Sequence, residues 1–459
     1  MTTPTSSRLA DALEWLDGHW NLEAQSAGVA PGVSPRNPSL ERIARLMDLS
    51  ADPQRVYPAV HVTGTNGKTS TARILAALLD AMGLAVGTYT SPHLERLNER
   101  IAAPALTDGR RERHQGAHDP IPDDDLAAQF EVLRGLEPML RGGARASWFE
   151  LVTAAAFRHF ADVVVDAAVV EVGLGGRWDA TNVVDGRVAV VTNVGLDHME
   201  YLGPTRQDIA REKAGIIKAG AVVVVGEPDP AIQELFAAET AAAGAEAMWV
   251  AGRDFECEGN EPAVDGRLLD LRTPGGDYHE VFLNLHGRHQ GTNAVVALAA
   301  AEAFFGRPLE AAVVEDALGR VTSPGRLEIV AQDPLTVLDG AHNPAGAVAA
   351  AAALAEEFGQ PAHRQVVVLG LLRGHDPEHM LTALEPSRIT LVVACPAPSP
   401  RTLPAADVAD AARRLGLRAV EEASVAEAVA TARAQAGEGD MVLVTGSLYV
   451  VGAARAVLH

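Results

Sequence analysis

The sequence predicts an α/β protein with two domains, each built around a mostly parallel β-sheet. Short runs of β-branched residues alternate with Ala- and Leu-rich stretches of helical length, as they do in βαβ units. The runs are apolar along their whole length, which is typical of strands covered by helices on both faces. A Ser-Pro-Gly sequence at 323–325 separates two sets of such runs. We therefore predict domains at 1–321 and 322–459, with a hinge between them.

Eight runs are predicted to form the strands of the two sheets. The first domain has "VYPAVHVTG", "DVVVDAAVVEVG", "GRVAVVTNVG" and "AGAVVVVGEP", and the second has "LTVLDGAH", "QVVVLGLL", "ITLVVACP" and "DMVLVTGS". Residues 107–125 are polar and lack a helical or strand period, so we expect a surface loop there. A chain of 459 residues with 47% apolar content can give each domain a complete core.

Charge and composition exclude several classes of protein. A formal net charge of −22 gives no general attraction for nucleic acid or anionic membrane, so an anionic ligand needs a local cluster of cations. No stretch approaches eighteen uninterrupted apolar residues, and the first twenty residues lack the features of an export signal. Cys257 and Cys395 are too few for a disulfide framework. We expect a soluble, cytoplasmic protein that acts as a monomer.

Lysine is rare in this chain. Only three of the 38 basic residues are lysines, namely Lys68, Lys213 and Lys218. Arginine is a fixed planar cation, whereas lysine is a compact ammonium that can lose its proton. We infer that lysine persists where one of those properties is needed, although any single lysine could equally stand there by chance.

The segment "HVTGTNGKTS" at 61–70 has the features of a phosphate-binding loop, although Val62 stands where the usual signature has its first glycine. A predicted strand precedes the loop and a predicted helix follows it, which directs backbone N–H groups and the positive helix end at phosphate. Gly64 and Gly67 permit the turn, Lys68 can reach the β- and γ-phosphates, and Thr69 can hold Mg²⁺. The alternative is a glycine turn that only joins strand and helix.

Two other nucleotide-binding classes are excluded. No lysine directly follows an asparagine, so the Asn-Lys-x-Asp motif with which GTPases recognise guanine is missing. In "VEVGLGGRWD", Trp178 stands where a dinucleotide-binding fingerprint has its third glycine.

The motifs together resemble a known family. "TGTNGKTS", "TSPHL", "EVGLGGRWDATN", "TNVGLDHMEYLG", "REKAGI", "PGRLE", "DGAHNP" and "VTGSLYVVG" occur in the order and at about the spacing of the folylpolyglutamate synthase and dihydrofolate synthase branch of the Mur ligase family. The resemblance runs from about residue 40 to residue 452. The shortened glycine loop is normal in that family.

The resemblance implies a P-loop NTPase-like domain of the Mur ligase central type, followed by a smaller Rossmann-like α/β domain. It also implies an ATP-dependent amide ligase that adds L-glutamate to dihydropteroate and to tetrahydrofolate through an acyl phosphate. The alternatives are a folylpolyglutamate synthase without the first activity, a Mur ligase acting on a cell-wall precursor, and a nucleotide-dependent binding protein that has lost catalysis.

Magnesium is the implied metal, with two ions expected. Glu171 ends a predicted buried strand, where its carboxylate faces the nucleotide crevice. The resemblance makes Ser91, Glu171 and His198 metal-binding residues. Taken alone, Ser91 before Pro92 is an ordinary turn, and His198 is a core or helix-capping histidine.

Lys68, His198 and Lys213 are the implied catalytic residues. Lys213, in "REKAGI", occupies the position of a lysine carbamate, formed with CO₂, that supports the second magnesium in this family. Only a neutral amine reacts with CO₂, and about one lysine in a thousand is neutral at an ordinary pKa near 10.4. The alternative is a helix-surface lysine paired with Glu212 or Asp208.

The remaining implied residues bind ATP or the pteridine substrate. The ATP-binding set is Thr65, Asn66, Gly67, Lys68, Thr69, Asn293, Arg326, Asp339 and His342. The substrate-binding set is Arg42, Ser147, Trp148, Phe149, Glu150 and Arg177, in which Trp148 and Phe149 would stack on the pterin or, alternatively, pack in the core. One departure from the family concerns glutamate affinity, because His375 stands where lysine is common.

Overall fold

The structure is a computed structural model, which describes residues 7–23, 39–104, 106–107, 110–111, 119–140, 144–358, 364–437 and 439–458. Its strands are β1 (Ala59–Thr63), β2 (Val86–Tyr89), β3 (Ile101–Ala102), β4 (Leu106–Thr107), β5 (Arg110–Arg111), β6 (Ala167–Glu171), β7 (Gly186–Val191), β8 (Val222–Val225), β9 (Ala247–Val250), β10 (Glu256–Ala263), β11 (Gly266–Thr273), β12 (Gly276–Leu283), β13 (Glu328–Gln332), β14 (Leu335–Leu338), β15 (Gln365–Leu369), β16 (Ile389–Ala394), β17 (Ala419–Glu421) and β18 (Met441–Thr445).

The helices cover the faces of the sheets. They are α1 (Ser7–Asp17), α2 (Glu41–Leu49), α3 (Lys68–Ala81), α4 (Asp123–Leu136), α5 (Trp148–Asp162), α6 (Met199–Leu202), α7 (Arg206–Ala214), α8 (Pro230–Ala243), α9 (Arg288–Phe305), α10 (Ala311–Arg320), α11 (Pro344–Glu357), α12 (Pro377–Ala383), α13 (Ala405–Arg414), α14 (Val425–Gln435) and α15 (Leu448–Leu458). Among the described residues, none of these helices combines the length and apolar character needed to cross a bilayer.

The predicted α/β architecture is confirmed. A seven-stranded sheet has the order β3-β2-β6-β1-β7-β8-β9, and all its strands are parallel except β3. A six-stranded sheet has the order β13-β14-β18-β15-β16-β17, and only β13 is antiparallel. An antiparallel sheet, β10-β11-β12, packs against α9, and β4 pairs with β5. We call the part carrying the seven-stranded and three-stranded sheets the first lobe, and the part carrying the six-stranded sheet the second lobe.

Burial on both faces explains the continuous apolar runs. In β1, Val60 and Val62 pack in the core that contains α3 and α9, whereas Ala59 packs in the core that contains α5. In β15, Val367 and Val368 likewise belong to cores on opposite faces of the six-stranded sheet. Successive side chains of a strand point to opposite faces, so each face requires apolar residues.

The two lobes contact each other through polar groups and through Leu94 of the first lobe, which packs against the core that contains Val450 and Val451. Asn343, after β14, donates to Asn66 in the glycine loop at 3.2 Å. The Arg455 guanidinium of α15 lies 2.5 Å from the Glu95 carboxylate of the first lobe. The carboxyl ends of the two parallel sheets therefore meet, at the location where open α/β sheets bind ligands.

One sequence expectation needs correction. The loop expected at 107–125 is too long at its carboxyl end, because residues 123–125 form the first turn of α4. Three successive aspartates are favourable there, since the amino end of a helix carries partial positive charge. Residues 108–109 and 112–118 lie outside the described part of the chain.

Candidate active site

The glycine loop lies between β1 and α3, in the centre of the seven-stranded sheet. Gly67 has φ of +80°, and a Cβ there would lie 2.4 Å from Oδ1 of Asn293. A Cβ on Gly64 would lie 1.8 Å from Oγ1 of Thr192. Both positions therefore require glycine, the first for its left-handed backbone and both for close approach.

The segment after β7 holds the glycine loop in place. The Thr65 and Asn66 N–H groups donate to the carbonyl and the side-chain oxygen of Asn193, each at 3.0 Å. Thr192 donates to the Asn66 carbonyl at 2.6 Å. Sequence reasoning quoted the "TNVG" motif but gave Asn193 no role. The available signal was a polar pair directly after a buried strand next to β1.

Two lysines meet at one carbonyl of the loop. The Lys213 amine donates to the Gly64 oxygen at 2.8 Å, and the Lys68 amine donates to the same oxygen at 3.1 Å. Lys213 is only 3% exposed, which rules out the alternative of a surface lysine paired with Asp208 or Glu212. Burial, reinforced by the charge of Lys68, lowers the pKa of Lys213 to about 7. A large fraction of this amine is therefore neutral near physiological pH.

Glu171 places a buried carboxylate beside the loop. It ends β6, is 1% exposed, and accepts from the Thr69 hydroxyl at 3.0 Å and from the Ser91 N–H at 3.3 Å. Burial raises the pKa of Glu171, although Lys68 and these two hydrogen bonds act in the opposite direction. Ser91 and Glu171 thus form one cluster, whereas His198 lies apart with Asp197.

The first of two cavities extends from this loop to the second lobe. We call it the glycine-loop cavity, and its volume is about 770 Å³. Every residue predicted to bind ATP or metal lies on its wall: Thr65, Asn66, Gly67, Lys68, Thr69, Ser91, Glu171, His198, Asn293, Arg326, Asp339 and His342. Lys213 lines it as well.

The second lobe contributes a cation and a carboxylate to this cavity. In the described part of the chain, no carboxylate lies within 4 Å of the Arg326 guanidinium, so its charge has no ion-pair partner. The Asp339 carboxylate instead accepts from the Leu327 and Ala341 N–H groups at 3.0 and 2.9 Å. Asp339 therefore fixes the loop that presents Arg326.

The second cavity, of about 830 Å³, has Trp20, Phe149, Trp178, Tyr201 and Tyr449 on its wall, and we call it the aromatic cavity. Four of the six residues predicted to bind the pteridine line it, namely Arg42, Ser147, Phe149 and Glu150. Ser147 and Glu150 also form the capping box that begins α5. Arg42 donates to the Glu150 carboxylate at 3.1 Å.

The structure does not bring the other two predicted residues to the aromatic cavity. Trp148 is 6% exposed and packs in the core beneath the Arg100 guanidinium, which lies 4.8 Å from its ring centroid. Arg177 points away and lies 3.6 Å from the Glu239 carboxylate. Its neighbour Trp178, which sequence reasoning noted only as a missing glycine, lines the cavity and is 49% exposed.

The two cavities share part of their walls. The shared residues are Ser91, Pro92, Gly173, Leu174, His198, Leu202, His342 and Leu448. A ligand in one cavity can therefore reach a ligand in the other near Ser91 and the two histidines. Transfer of a group between two bound molecules needs this arrangement, because reacting atoms must approach within about 3–3.5 Å.

Asp197 ties the lobes together at this junction, and sequence reasoning missed it. Its carboxylate accepts from Asn343 at 3.3 Å and lies 3.8 Å from the His342 imidazole. Burial acts to raise the pKa of Asp197, but its interaction with His342 and the charges of His198 and Lys68 lower it below its usual value. Asp197 therefore stays ionised, and its carboxylate contacts side chains from both lobes.

The described residues contain no group of three or more His, Cys, Asp or Glu side chains arranged to hold a metal ion. The chemistry of the Glu171 cluster nevertheless suits a hard cation. The Glu171 carboxylate has a hydroxyl and an N–H as its hydrogen-bond partners, and the charge of Lys68 does not fully offset the effect of burial. Oxygen ligands of this kind suit Mg²⁺, which keeps waters and phosphate oxygens as its other ligands.

Comparison with known proteins agrees with this geometry. Residues 62–115 and 149–301 match the Mur ligase middle domain, and residues 325–448 match the Mur ligase glutamate ligase domain. The chain is 41% identical to the dihydrofolate synthase/folylpolyglutamate synthase of Mycobacterium tuberculosis, over 91% of this chain and 90% of that protein.

Solved structures give the same result. The M. tuberculosis folylpolyglutamate synthase complexed with ADP superposes with a TM-score of 0.88 at 37% identity, covering 98% of each chain. Escherichia coli FolC in complex with DHPP and ADP superposes with a TM-score of 0.83 at 30% identity, covering 100% of this chain and 99% of that one.

Proposed function

This chain belongs to the dihydrofolate synthase/folylpolyglutamate synthase branch of the Mur ligase family, and from that membership and its two joined cavities we propose that it is an ATP-dependent glutamate ligase. Its substrates are ATP, L-glutamate and a pteroate, with dihydropteroate giving dihydrofolate and tetrahydrofolate giving polyglutamates. The observation that carries the proposal is the shared wall at Ser91, His198 and His342.

The chemistry requires that a carboxylate become an acylating group. The pteroate carboxylate takes the γ-phosphoryl group of ATP, and the amine of glutamate then displaces phosphate from the acyl phosphate. Such transfer depends on positioning and on cations around the phosphoryl group more than on covalent help from side chains. ATP in the glycine-loop cavity and the pteroate in the aromatic cavity would meet at the shared wall.

The nucleotide-binding roles follow from position and charge. Lys68 and Arg326 are the cations for the phosphates, one from each lobe, and Asn293 supports the turn at Gly67. Asp339 and His342 act from the second lobe, where Asp339 orders the loop and His342 faces the junction. Removing one such charge typically costs roughly a hundredfold in rate.

Magnesium would be held by Glu171 with the hydroxyls of Thr69 and Ser91, and His198 is the predicted ligand nearest the junction. When bound, Mg²⁺ supplies positive charge to the phosphate oxygens. The residues themselves orient the phosphates and exclude water, because Glu171 and Lys213 are both almost fully buried.

Lys213 is proposed to carry a carbamate. Its neutral amine would form an N–C bond with CO₂ and release one proton, producing a carboxylate beside Lys68 that supports the second magnesium. Its burial at the cavity wall and its contact with the loop carbonyl of Gly64 support this role, and its pKa near 7 supplies the neutral amine.

The Lys213→Ala variant tests the carbamate. We expect activity to fall at least a hundredfold and to be restored in part by acetate or formate, which can occupy the vacated volume. Lys218→Ala is the matched control, because Lys218 donates to the Asn182 carbonyl outside both cavities and should be dispensable. Full activity in Lys213→Ala, or a loss that neither anion relieves, would rule the carbamate out.

We also propose that the domain boundary lies between residues 321 and 322. Residues 1–321 would bind most of the nucleotide and the pteroate, and residues 322–459 would close over glutamate. A cytoplasmic monomer is also proposed, and the molar mass in solution would test its oligomeric part.

An ATP-consumption assay tests the function as a whole. Phosphate release should appear only when glutamate and a pteroate are both present, and dihydropteroate and tetrahydrofolate should both serve. A muramyl precursor should not. Phosphate release with tetrahydrofolate alone would restrict the protein to polyglutamate synthesis, and phosphate release with none of the three would reject the ligase assignment.

A further inference from the structure

The aromatic cavity has one arginine without an ionic partner. Among the residues that the structure describes, its wall has two arginines, Arg42 and Arg401, and no lysine. Arg42 is paired with Glu150 at 3.1 Å. Within the described residues, no carboxylate lies within 4 Å of the Arg401 guanidinium. The Glu23 carboxylate on the same wall lies 2.5 Å from the Arg100 guanidinium. Burial acts to raise the pKa of Glu23, but the charge of Arg100 and, to a smaller extent, that of Arg401 lower it, without an ion pair to Arg401.

The backbone around Arg401 is firmly held. The Arg401 carbonyl accepts from the Arg373 N–H at 2.7 Å, and its N–H donates to the Ser399 hydroxyl at 3.2 Å. The Thr402 hydroxyl accepts from the Ala397 N–H at 2.8 Å. The first of these bonds joins the loop after β16 to the loop after β15, and the other two lie within the loop after β16. The backbone of Arg401 is therefore held by hydrogen bonds to both its N–H and its carbonyl group.

In the described part of the second lobe, the wall around Arg401 has polar groups but no second permanent charge. His342, His375, Ser447 and Tyr449 line the cavity from the second lobe. Burial, with the nearby charge of His342, lowers the pKa of His375 to about 4, so His375 is neutral at physiological pH. With a neutral histidine at position 375, Arg401 is the fixed cation that the described residues of the second lobe contribute to this wall.

We propose that Arg401 binds a carboxylate of the incoming L-glutamate and so sets the affinity for that substrate. The inference rests on the proposed ligase function and adds a specificity residue to it. Glutamate carries two carboxylates, whereas its amine must reach the junction of the cavities. A guanidinium fork can hold one carboxylate through two parallel hydrogen bonds, which restricts the orientation of the amine.

Steady-state kinetics of Arg401→Gln and Arg401→Lys test this role. In Arg401→Gln we expect the KM for L-glutamate to rise roughly ten- to a hundredfold, which is typical for a lost hydrogen bond to a charged group. The KM values for ATP and for dihydropteroate should stay within about twofold. Arg401→Lys should recover part of the glutamate affinity, because the charge is kept and the fork is lost.

Arg414→Gln is the matched control, since Arg414 is an exposed arginine of the same lobe, paired with Glu378 and outside both cavities. Thermal melting of each variant checks that the fold is kept. A KM for glutamate that stays unchanged in Arg401→Gln would overturn the proposal. So would a rise confined to the KM of a polyglutamated pteroate, which would assign Arg401 to the tail of the acceptor.

The outcome is separable from that of the proposed function. If the unsubstituted protein shows no glutamate-dependent phosphate release, the ligase assignment fails and the role of Arg401 fails with it. If the unsubstituted protein is active and Arg401→Gln matches it in glutamate KM, only the role of Arg401 fails.

Discussion

The carboxyl edges of the two large sheets face each other, yet they are built in different ways. At the seven-stranded sheet, the ten residues 61–70 supply a strand end, a turn and a helix start, and Asn193 binds that turn through both its backbone and its side chain. At the six-stranded sheet, His342, His375, Arg401 and Ser447 come from four loops, after β14, β15, β16 and β18. The first edge centres on one contiguous segment that Asn193 holds in place, whereas the four residues of the second edge come from four separate loops.

This difference matters for function. The first edge supplies Lys68, Lys213 and Glu171, of which the last two are buried, and their mutual contacts involve only first-lobe residues. The second edge holds Arg326 and Arg401, whose guanidiniums have no carboxylate within 4 Å in the described parts of the chain. The first edge is suited to hold a nucleotide, and the second contributes cations without an ion pair to the walls of the two cavities.

The largest expected effect tests the first edge. Glu171→Gln keeps the shape of the side chain and removes its charge, so kcat should fall several hundredfold. Since folding raises the pKa of Glu171, the ionised carboxylate costs folding free energy at neutral pH, and the neutral amide should leave the melting temperature equal or higher.

Glu302→Gln is the control for this change. Glu302 is an equally buried glutamate on α9, bound to Thr273 and Tyr278 away from both cavities, and burial raises its pKa too. Its replacement should leave kcat unchanged. Equal kcat losses in the two variants would mean that the first edge is sensitive only to core packing.

The next effect tests the contact between the edges. Asn343→Asp keeps the acceptor that caps α11 at the Gly346 N–H but removes the donor to Asn66 and Asp197, and it places a second carboxylate beside Asp197. We expect kcat to fall about thirtyfold with little change in melting temperature. Ser424→Ala, at the cap of α14, should instead cost about 1 kcal/mol of unfolding free energy and leave kcat unchanged. A wild-type kcat in Asn343→Asp would show that the edges act independently.

A smaller effect on KM should distinguish the roles of two tryptophans of the first lobe, one in the cavity wall and one in the core. Trp178→Ala should raise the KM for dihydropteroate about tenfold at an unchanged melting temperature, because its exposed ring lines the aromatic cavity. Trp148→Ala should lower the unfolding free energy by about 3–5 kcal/mol, because its ring is buried beneath Arg100. The opposite pattern, with the KM effect at Trp148, would mean that the cavity wall is wrongly assigned.

The smallest effect concerns Lys213 and pH. Carbamate formation needs the neutral amine, whose fraction rises with pH through the pKa of about 7. After removal of CO₂, the rate at which activity returns at fixed dissolved CO₂ should rise roughly fivefold from pH 6 to pH 7 and less than twofold from pH 7 to pH 8. A rate of return that does not depend on pH in this range would contradict the lowered pKa.

The site could be predicted where the chain is contiguous. All nine predicted ATP-binding residues line one cavity: five lie in one strand–turn–helix segment whose geometry is local, and Asp339 and His342 follow β14. The resemblance to the family, rather than local geometry, indicated Asn293 in α9 and Arg326 before β13. The residues predicted to bind the pteridine do not all line the aromatic cavity. Adjacent residues of a helix point about 100° apart, so Phe149 reaches the cavity while Trp148 faces the core.

The sequence by itself determined the eight predicted parallel strands, the two places where glycine is required in the loop, and the buried carboxylate that ends β6. Each of these depends on short-range geometry, so neighbouring residues suffice to specify it. Only the tertiary structure decided that Asp197 and Asn343 join the lobes, that Trp178 replaces Arg177 on the cavity wall, and that Arg401 has no ionic partner in the described chain. Burial and pairing depend on segments brought together by packing, and no local pattern encodes their distances.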